Sequence, residues 1–462
     1  MTRHRLVVVG AGPAGMSAAI AAARAGLPSL LLDENPQPGG QIYRRPPPGL
    51  ARTVVPSAGN DLFQELQELR NQIDLRTNVT VWGIFPTRRL AVTGLPTIEA
   101  DHLILAPGAY EYLPPFPGWT LPGVMTPGGA QALVKTQGVL PGRRALVAGT
   151  GPFLLVVADQ LHRAGMEVVA VLELAGTGEM LRALPGLLSS PRLLWEGLGY
   201  VGRLWRQGIS VLRRHVLVEA RGNDEVREAV YAPCDAEGRP DLTRVRSVAL
   251  DTICAGYGFV PRTQLAQLAG CRLRFVDALG GWVPVLNDSL ETTVPNVWVA
   301  GDGSGVAGAL VARLEGTLAG LAAARRAGVL DPSTFERRRR PVVRQLARLR
   351  CFRVALDRLH RLRPGIARLA ASDTVVCRCE EVTRAEVEEG MAAGGTNLRT
   401  LKVMTRVGMG PCQGQMCWPA LSRFLAAARG ETPERAGPLS VRPPITPVPL
   451  DELARAGALP EL

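Results

Sequence analysis

The sequence predicts an α/β fold of two doubly wound domains, one inserted in the other, with a small helical domain behind them. Three observations carry this. Strand, glycine turn, helix and strand follow one another twice, over 6–33 and again over 143–173. A third strand closes on Gly301-Asp302. Four of the eight cysteines fall within 41 residues near the C-terminus.

The first unit opens with Leu6-Val7-Val8-Val9, which runs directly into Gly10-Ala11-Gly12-Pro13-Ala14-Gly15. Met16 to Ala25 is alanine-rich and favours a helix. Leu30-Leu31-Leu32 then reads as a second strand ending in Asp33-Glu34. In such a unit Gly10 permits the tight turn, Gly12 lets a pyrophosphate approach the backbone, and Gly15 lets helix and strand pack closely. The helix N-terminus offers free N–H groups and partial positive charge to phosphates. Asp33, 18 residues past the third glycine, is placed to accept hydrogen bonds from an adenosine ribose. This is a Rossmann-like dinucleotide site.

Later segments favour FAD there over NAD. Leu103-Ile104-Leu105-Ala106-Pro107-Gly108 reads as a buried strand closing in a small-residue turn. Val297 to Gly303 is a strand ending in Gly301-Asp302, followed by the helix-forming stretch Val306 to Ala324. Asp302 can then bind the ribityl and pyrophosphate region, and the helix N-terminus can face a flavin's pyrimidine edge. A plain helix cap is the competing reading of Asp302. Residues 5–330 resemble the two-dinucleotide-binding flavoproteins, of which glutathione reductase is one member. The resemblance places Glu34, Gln41, Ala106 and Gly108 at the same cofactor. The redox cysteine pair of the disulfide reductases is missing: Gly39-Gly40-Gln41-Ile42-Tyr43 stands after the first unit, and no CxxC occurs between 110 and 250. Disulfide reduction is excluded.

The second unit runs from Arg143–Ala148 through Gly149-Thr150-Gly151-Pro152-Phe153-Leu154 to a strand at 168–172 ending in Glu173. Leu154 stands where a third glycine belongs, so helix and strand are forced apart and the phosphate site is distorted or repurposed. Glu173 suits a free ribose 2′-hydroxyl and repels a 2′-phosphate, against NADP. An adenine nucleotide such as ATP, NAD, or a purely structural role all remain open. Between Met180 and Arg206 apolar residues accumulate, either as a packed helical insertion or as a patch for a partner protein.

The cysteines are spaced C-x-C, 32 residues, C-x4-C: Cys377, Cys379, Cys412 and Cys417. A helix at about 384–393 would bring the two pairs together. Structural zinc, which prefers C-x2–4-C in both halves, and unrelated thiols are the competing readings. The C-x-C pair and the neighbouring Gly408, Gly410 and Gly414 favour a [2Fe–2S] centre whose sulfurs accept backbone N–H groups. The segment resembles the bacterioferritin-associated-ferredoxin type of [2Fe–2S] domain. The whole chain, including Leu113 to Ala132, is similar to the α subunits of heteromeric hydroxyproline, proline and opine dehydrogenases and to the B subunit of hydrogen cyanide synthase. That resemblance implies a separate flavoprotein β subunit carrying the amino-acid site, a small third subunit in some complexes, and FMN at a shared interface.

The net charge of +12 is concentrated rather than spread. Between Arg337 and Arg363 stand eleven arginines and one acid, Asp357. Leu346, Leu349, Phe352, Leu356 and Leu359 recur at helical spacing after Pro341, giving an amphipathic linker helix, either solvated or docked on a partner or membrane surface. No nucleic-acid motif accompanies the charge. No apolar run reaches the roughly 18 residues of a spanning helix, and the N-terminal apolar stretch reads as a strand rather than a signal. Scattered cysteines fit a reducing cytoplasm. None of the five histidines sits in a motif, and no catalytic base is assigned.

The expected organisation is a discontinuous FAD-binding domain (1–115 and 250–330), an inserted nucleotide-binding-like domain (116–249), an Arg-rich helical linker (331–370), the [2Fe–2S] domain (371–430) and a Pro-rich tail (431–462) along another surface. The expected function is redox relay from flavin to cluster inside an amino-acid or amine dehydrogenase, then on to a respiratory acceptor. The alternatives are a self-sufficient NAD(P)H:acceptor reductase and a non-catalytic scaffold with a redox-sensing cluster.

Overall fold

The computed structural model describes residues 1–46 and 59–455; residues 47–58 and the end of the tail lie outside the described residues. The first strand, Thr2–Val9, sits centrally in a seven-stranded sheet, parallel to Ser29–Leu32 on one side and to Ile98–Leu105 on the other. Leu6, Val7 and Val8 are fully buried, because helices cover one face of a parallel sheet and further strands and loops cover the other. Ile98–Leu105 forks the sheet. Its beginning pairs antiparallel with Arg89–Val92, and its end pairs parallel with Val297–Val299. That last strand returns from far along the sequence, bringing Gly301 against Ala14 at the start of the first helix.

The alanines of the helix Pro13–Arg24 are explained by what lies over them. The helix Ala309–Arg326 crosses it so closely that a Cβ on Gly316 would stand 2.0 Å from the Ala14 carbonyl oxygen. A Cβ on Gly320 would meet the Ala18 carbonyl oxygen at 2.3 Å. Small residues on both helices allow that approach, and the contact ties the two halves of the first domain together.

The second sheet is parallel throughout, with Arg144–Gly149 at its middle between Glu167–Glu173 and Thr252–Gly256. Ser210–Arg213 and Val124–Met125 form its edges. Thr252–Gly256, read from sequence as the return into the first domain, therefore belongs to the inserted sheet. The crossing lies beyond it, where Phe259–Pro261 pairs with Ala109–Glu111.

The Arg-rich segment departs from the expected solvated linker. Its helix spans Pro332–Leu359, begins at the Asp331 cap and continues through Pro341. Phe335, Leu346, Phe352, Ala355 and Leu359 are buried against the helices Ala309–Arg326 and Thr177–Leu187. The chain then turns at Arg363, which is buried and gives the Glu179 carboxylate two hydrogen bonds of 2.8 and 2.9 Å. A bidentate pair of this kind fixes orientation as well as position.

The C-terminal domain packs three helices, Arg384–Ala392, Leu398–Thr405 and Trp418–Arg429, around Leu398, Leu401, Leu421 and Leu425. The Thr383/Glu386 capping box starts the first of them. The Trp119 indole N–H donates to the Val375 carbonyl at 2.6 Å, joining this domain to the inserted one. The tail returns to the first domain, where the Ile445 N–H donates to the Trp82 carbonyl.

Replacing Arg363 by Met empties a buried position and leaves the Glu179 carboxylate with Arg214 alone, 3.2 Å away. The expected loss is about 3 kcal/mol of stability, read as a lower denaturant midpoint, with Arg363→Lys recovering only part of it.

Candidate functional site

The first glycine turn is built by exclusion of side chains. Gly10 has φ +99°, and a Cβ there would come within 2.3 Å of the Ala106 carbonyl oxygen. At Gly15 a Cβ would stand 1.7 Å from the Gly10 carbonyl oxygen. Gly12 differs: its φ is −73°, and the nearest atom to an added Cβ is Gly40 Cα at 3.8 Å. Space at Gly12 is therefore space facing the cleft. Asp33 is buried, and its carboxylate accepts the Ala11 N–H at 2.5 Å together with the Asn35 N–H and side-chain amide. The acid expected to hold a ribose is thus bonded to its own turn. Glu34 stands exposed at the rim instead, ion-paired to Arg262 at 3.0 Å.

At the second turn the substitution of the third glycine is accommodated. Leu154 is buried among Val147, Val157 and Val171. The helix Phe153–Arg163 opens with tight three-residue bonds, Leu154 N–H to the Gly151 carbonyl and Leu155 N–H to the Pro152 carbonyl. In the first unit the Met16 N–H already spans four residues to Gly12. Glu173 is buried and fully engaged. It accepts the Gly151 N–H at 3.0 Å, the Thr150 hydroxyl at 2.8 Å and the Ala175 N–H at 3.0 Å, with His360 Nδ1 3.5 Å away. Burial works against its charge, yet His360 and these donors outweigh burial and hold the carboxyl below its usual range. A carboxylate thus caps the amide that a phosphate would use, and the end of the long helix covers the acid.

The Gly301–Gly303 turn follows the strand Val297–Val299. Asp302 accepts the Ala307 and Gly308 N–H groups at 3.0 and 3.1 Å, so one of its oxygens caps the loop before the helix Ala309–Arg326. Beneath it, Glu315 accepts the Gly301 N–H and the Ser304 hydroxyl, each at 2.9 Å. Glu315 is half-buried as a residue, with its carboxyl group enclosed. Burial pushes that carboxyl up to about 7, and the charge of Asp302 adds to the effect.

One continuous cleft of about 1930 Å³ joins these parts. Gly10, Gly12, Asp33, Glu34, Gln41, Ala106, Gly108, Gly301 and Asp302 line it at one end, and Gly151 and Glu173 at the other. Gly15 and Gly149 do not reach it; they pack behind their turns. The segment Gly414, Gln415 and Trp418, at the second cysteine pair, forms part of the same wall. Tyr110, whose hydroxyl accepts the Gln264 amide N–H at 2.9 Å, lies in that wall within electrostatic reach of Cys412.

The four cysteines stand as two pairs, Cys377 with Cys417 and Cys379 with Cys412. Cys377 and Cys417 are buried, Cys412 is half-buried and Cys379 is exposed. The Gly408 N–H donates to Cys377 Sγ at 3.4 Å. The Cys417 hydrogen bond and this N–H pull the Cys377 thiol down to about 6, while Cys417, the donor, is raised. A Cβ on Gly410 would lie 2.2 Å from Cys379 Cβ, so only glycine fits there. Among the described residues no group of three or more His, Cys, Asp or Glu side chains is placed to hold a metal ion, the four cysteines included.

Several residues of the site had no local signal in the sequence. His360 meets Thr150 and Glu173 across some 190–210 positions, and Arg262 meets Glu34 across 228. Glu315 lies mid-helix with nothing nearby to mark it.

A family model described as pyridine nucleotide-disulphide oxidoreductase matches residues 4–328, and one described as the sarcosine oxidase A3 domain matches residues 371–458. The chain is 39% identical to hydrogen cyanide synthase subunit HcnB of Pseudomonas aeruginosa, over 98% of this chain and 99% of that protein. It is 36% identical to an opine oxidase subunit of Agrobacterium tumefaciens, over 98% and 91%. Among solved structures, L-proline dehydrogenase from P. horikoshii superposes with a TM-score of 0.67 at 20% identity, over 98% of this chain and 79% of that one, a likeness of fold.

Two glycine variants separate packing from binding. Gly12→Ala is expected to keep the thermal midpoint within a few degrees but to lose most nucleotide on gel filtration; Gly15→Ala is expected to lose both. Glu315 gives a pH signature. Its native carboxyl holds a proton more tightly than the unfolded chain does, so stability falls as pH rises from the ordinary carboxylate range through about 7. Denaturant titrations of Glu315→Gln across that window should show a flatter profile than the parent.

Proposed function

Because the chain belongs to the pyridine nucleotide-disulphide oxidoreductase family, we propose that it is the electron-transfer subunit of a heteromeric dehydrogenase that oxidises an amino acid or related amine, with flavin at the first glycine turn and [2Fe–2S] at the four cysteines. The observation that carries this reading is the shared wall: the segment at Cys412 and Cys417 lines the cleft that the first glycine turn opens into. A flavin accepts a two-electron hydride and a [2Fe–2S] centre accepts single electrons, so together they convert one into the other.

The chain's own residues suit both groups. Gly12 leaves room for phosphates, and the helix starting at Pro13 presents its N-terminus to them. Glu34 at the rim takes the ribose role that the engaged Asp33 leaves open. The Gly308 cap starts the helix Ala309–Arg326 at the Asp302 turn, so that its N-terminus lies at the cleft wall, where its dipole favours negative charge. At the cysteines, the presence of four thiols in two neighbouring pairs supports the iron–sulfur reading, and the Gly408 N–H stabilises a charged sulfur at Cys377. Tyr110 and Gln264, joined by a 2.9 Å hydrogen bond, line the cleft beside them.

Hydrogen cyanide synthase subunit HcnB and its opine oxidase counterpart are by name parts of larger enzymes, and the chain spans over nine-tenths of each. Substrate oxidation is accordingly assigned to a partner flavoprotein, the β subunit, with FMN at the interface between them; the second turn, whose Gly151 amide is capped by Glu173, is read as structural rather than as a phosphate site. A self-sufficient NADH reductase is disfavoured by the capped Gly151 amide and the engaged Glu173. No helix among the described residues is long and apolar enough to cross a membrane.

Co-purified with proteins encoded beside it, the chain should carry flavin, about two irons and acid-labile sulfide. Cys379→Ser should lower the iron content several-fold while leaving flavin absorbance intact. The chain alone should oxidise no amine, and NADH should leave its flavin unbleached. Amine turnover by the isolated chain would overturn the assignment.

A further inference from the structure

The four-cysteine centre has an inner and an outer side. Cys377 and Cys417 are buried, and the loop between Cys412 and Cys417 faces the cleft. Cys379 opens to solvent. Around that edge the surface is apolar where a small domain would ordinarily be polar. Val403 is 75% exposed, Met404 44%, Met409 41% and Met416 46%. Methionines give a deformable surface that can repack against a partner. Nothing in the domain's own core needs them outside, since Leu398, Leu401 and Val407 already supply its interior.

The segment that carries this edge is basic. From Gly390 to Gly430 the chain carries Arg399, Lys402, Arg406, Arg423 and Arg429 and no acid. Arg423 is bound to Asp277, and Arg429 to the carbonyls of Gly395 and Thr396. Arg399, Lys402 and Arg406 therefore remain on the helix Leu398–Thr405 and at its end, with Arg378 beside Cys379. Among these four cations stand Glu380, ion-paired to Arg406 at 2.8 Å, and the exposed Glu381, while Glu386 and Glu389 are exposed on the neighbouring helix Arg384–Ala392.

We propose that this edge is the docking surface for a soluble one-electron carrier protein whose own redox group is ringed by acidic residues. The proposal rests on the iron–sulfur reading above. One electron at a time crosses from the four-cysteine centre to the carrier, oxidising the first and reducing the second, and each two-electron oxidation upstream sends two. Arg399, Lys402 and Arg406 steer the carrier in, and Val403, Met404 and Met409 form the dry contact beside Cys379.

The test uses the complex purified with its partner subunit, its iron counted first. An acidic [2Fe–2S] ferredoxin, photoreduced so that transfer into the oxidised centre runs downhill, probes the same surface in the reverse direction, followed by stopped flow. The rate constant is expected to fall about tenfold between low and high salt. Charge reversal at Arg399→Glu with Lys402→Glu should lower it about tenfold at low salt. Val403→Glu should lower it too. The electron paramagnetic resonance signal of the reduced centre should stay unchanged in all of them. A rate indifferent to salt and to charge reversal overturns the proposal while leaving the iron–sulfur reading intact. So does hydrogen exchange showing 398–416 already protected by the partner subunit. A complex without iron overturns both.

Discussion

Everything in the cofactor region depends on the backbone coming closer to itself than side chains allow. Gly10 lies on the Ala106 carbonyl, Gly15 on Gly10, and Gly316 and Gly320 on the carbonyls of Ala14 and Ala18. These contacts place the first turn, the Gly301 turn and the crossing helix in one tight group. The buried Asp33 carboxylate then ties the turn to the end of the second strand. A site made this way is rigid before any ligand arrives, which is what phosphate recognition by backbone N–H groups requires.

The two glycine turns show how little change redirects such a site. Both end in a buried acid that bonds the turn's own amide. In the first unit the rim still offers Glu34 and open space at Gly12. In the second, the helix start is tightened and His360 closes over Glu173. The same supersecondary unit therefore serves as an open cradle in one place and as a keystone for the long helix in the other.

That helix is what makes the domains into one body. It runs from the crossing helix of the first domain to the second glycine turn, and the Arg363–Glu179 pair anchors the chain just past its end. Trp119 and Arg423 then fasten the cysteine domain to the inserted domain and to the loop at Asp277. The loop between Cys412 and Cys417 reaches the cleft because these anchors hold it there. Coupling between the two proposed redox sites is thus a matter of placement by packing rather than of any single contact between them.

The sequence alone determined what is periodic or local. Alternating strands and helices, two glycine turns with their terminal acids, and the spacing of four cysteines are all short-range patterns, and the α/β class followed from them. Even the departure at Leu154 was legible, because a branched residue in a glycine's place is a local fact. Only the tertiary structure decided the rest. Thr252–Gly256 joined the inserted sheet, the Arg-rich helix docked its apolar stripe on two other helices, and Asp33 turned inward while Glu34 faced out. Most of these were settled by partners far away in the chain, as Glu34 was by Arg262. Burial and ion pairing act through space, and local spacing carries no record of which distant residue a side chain will meet.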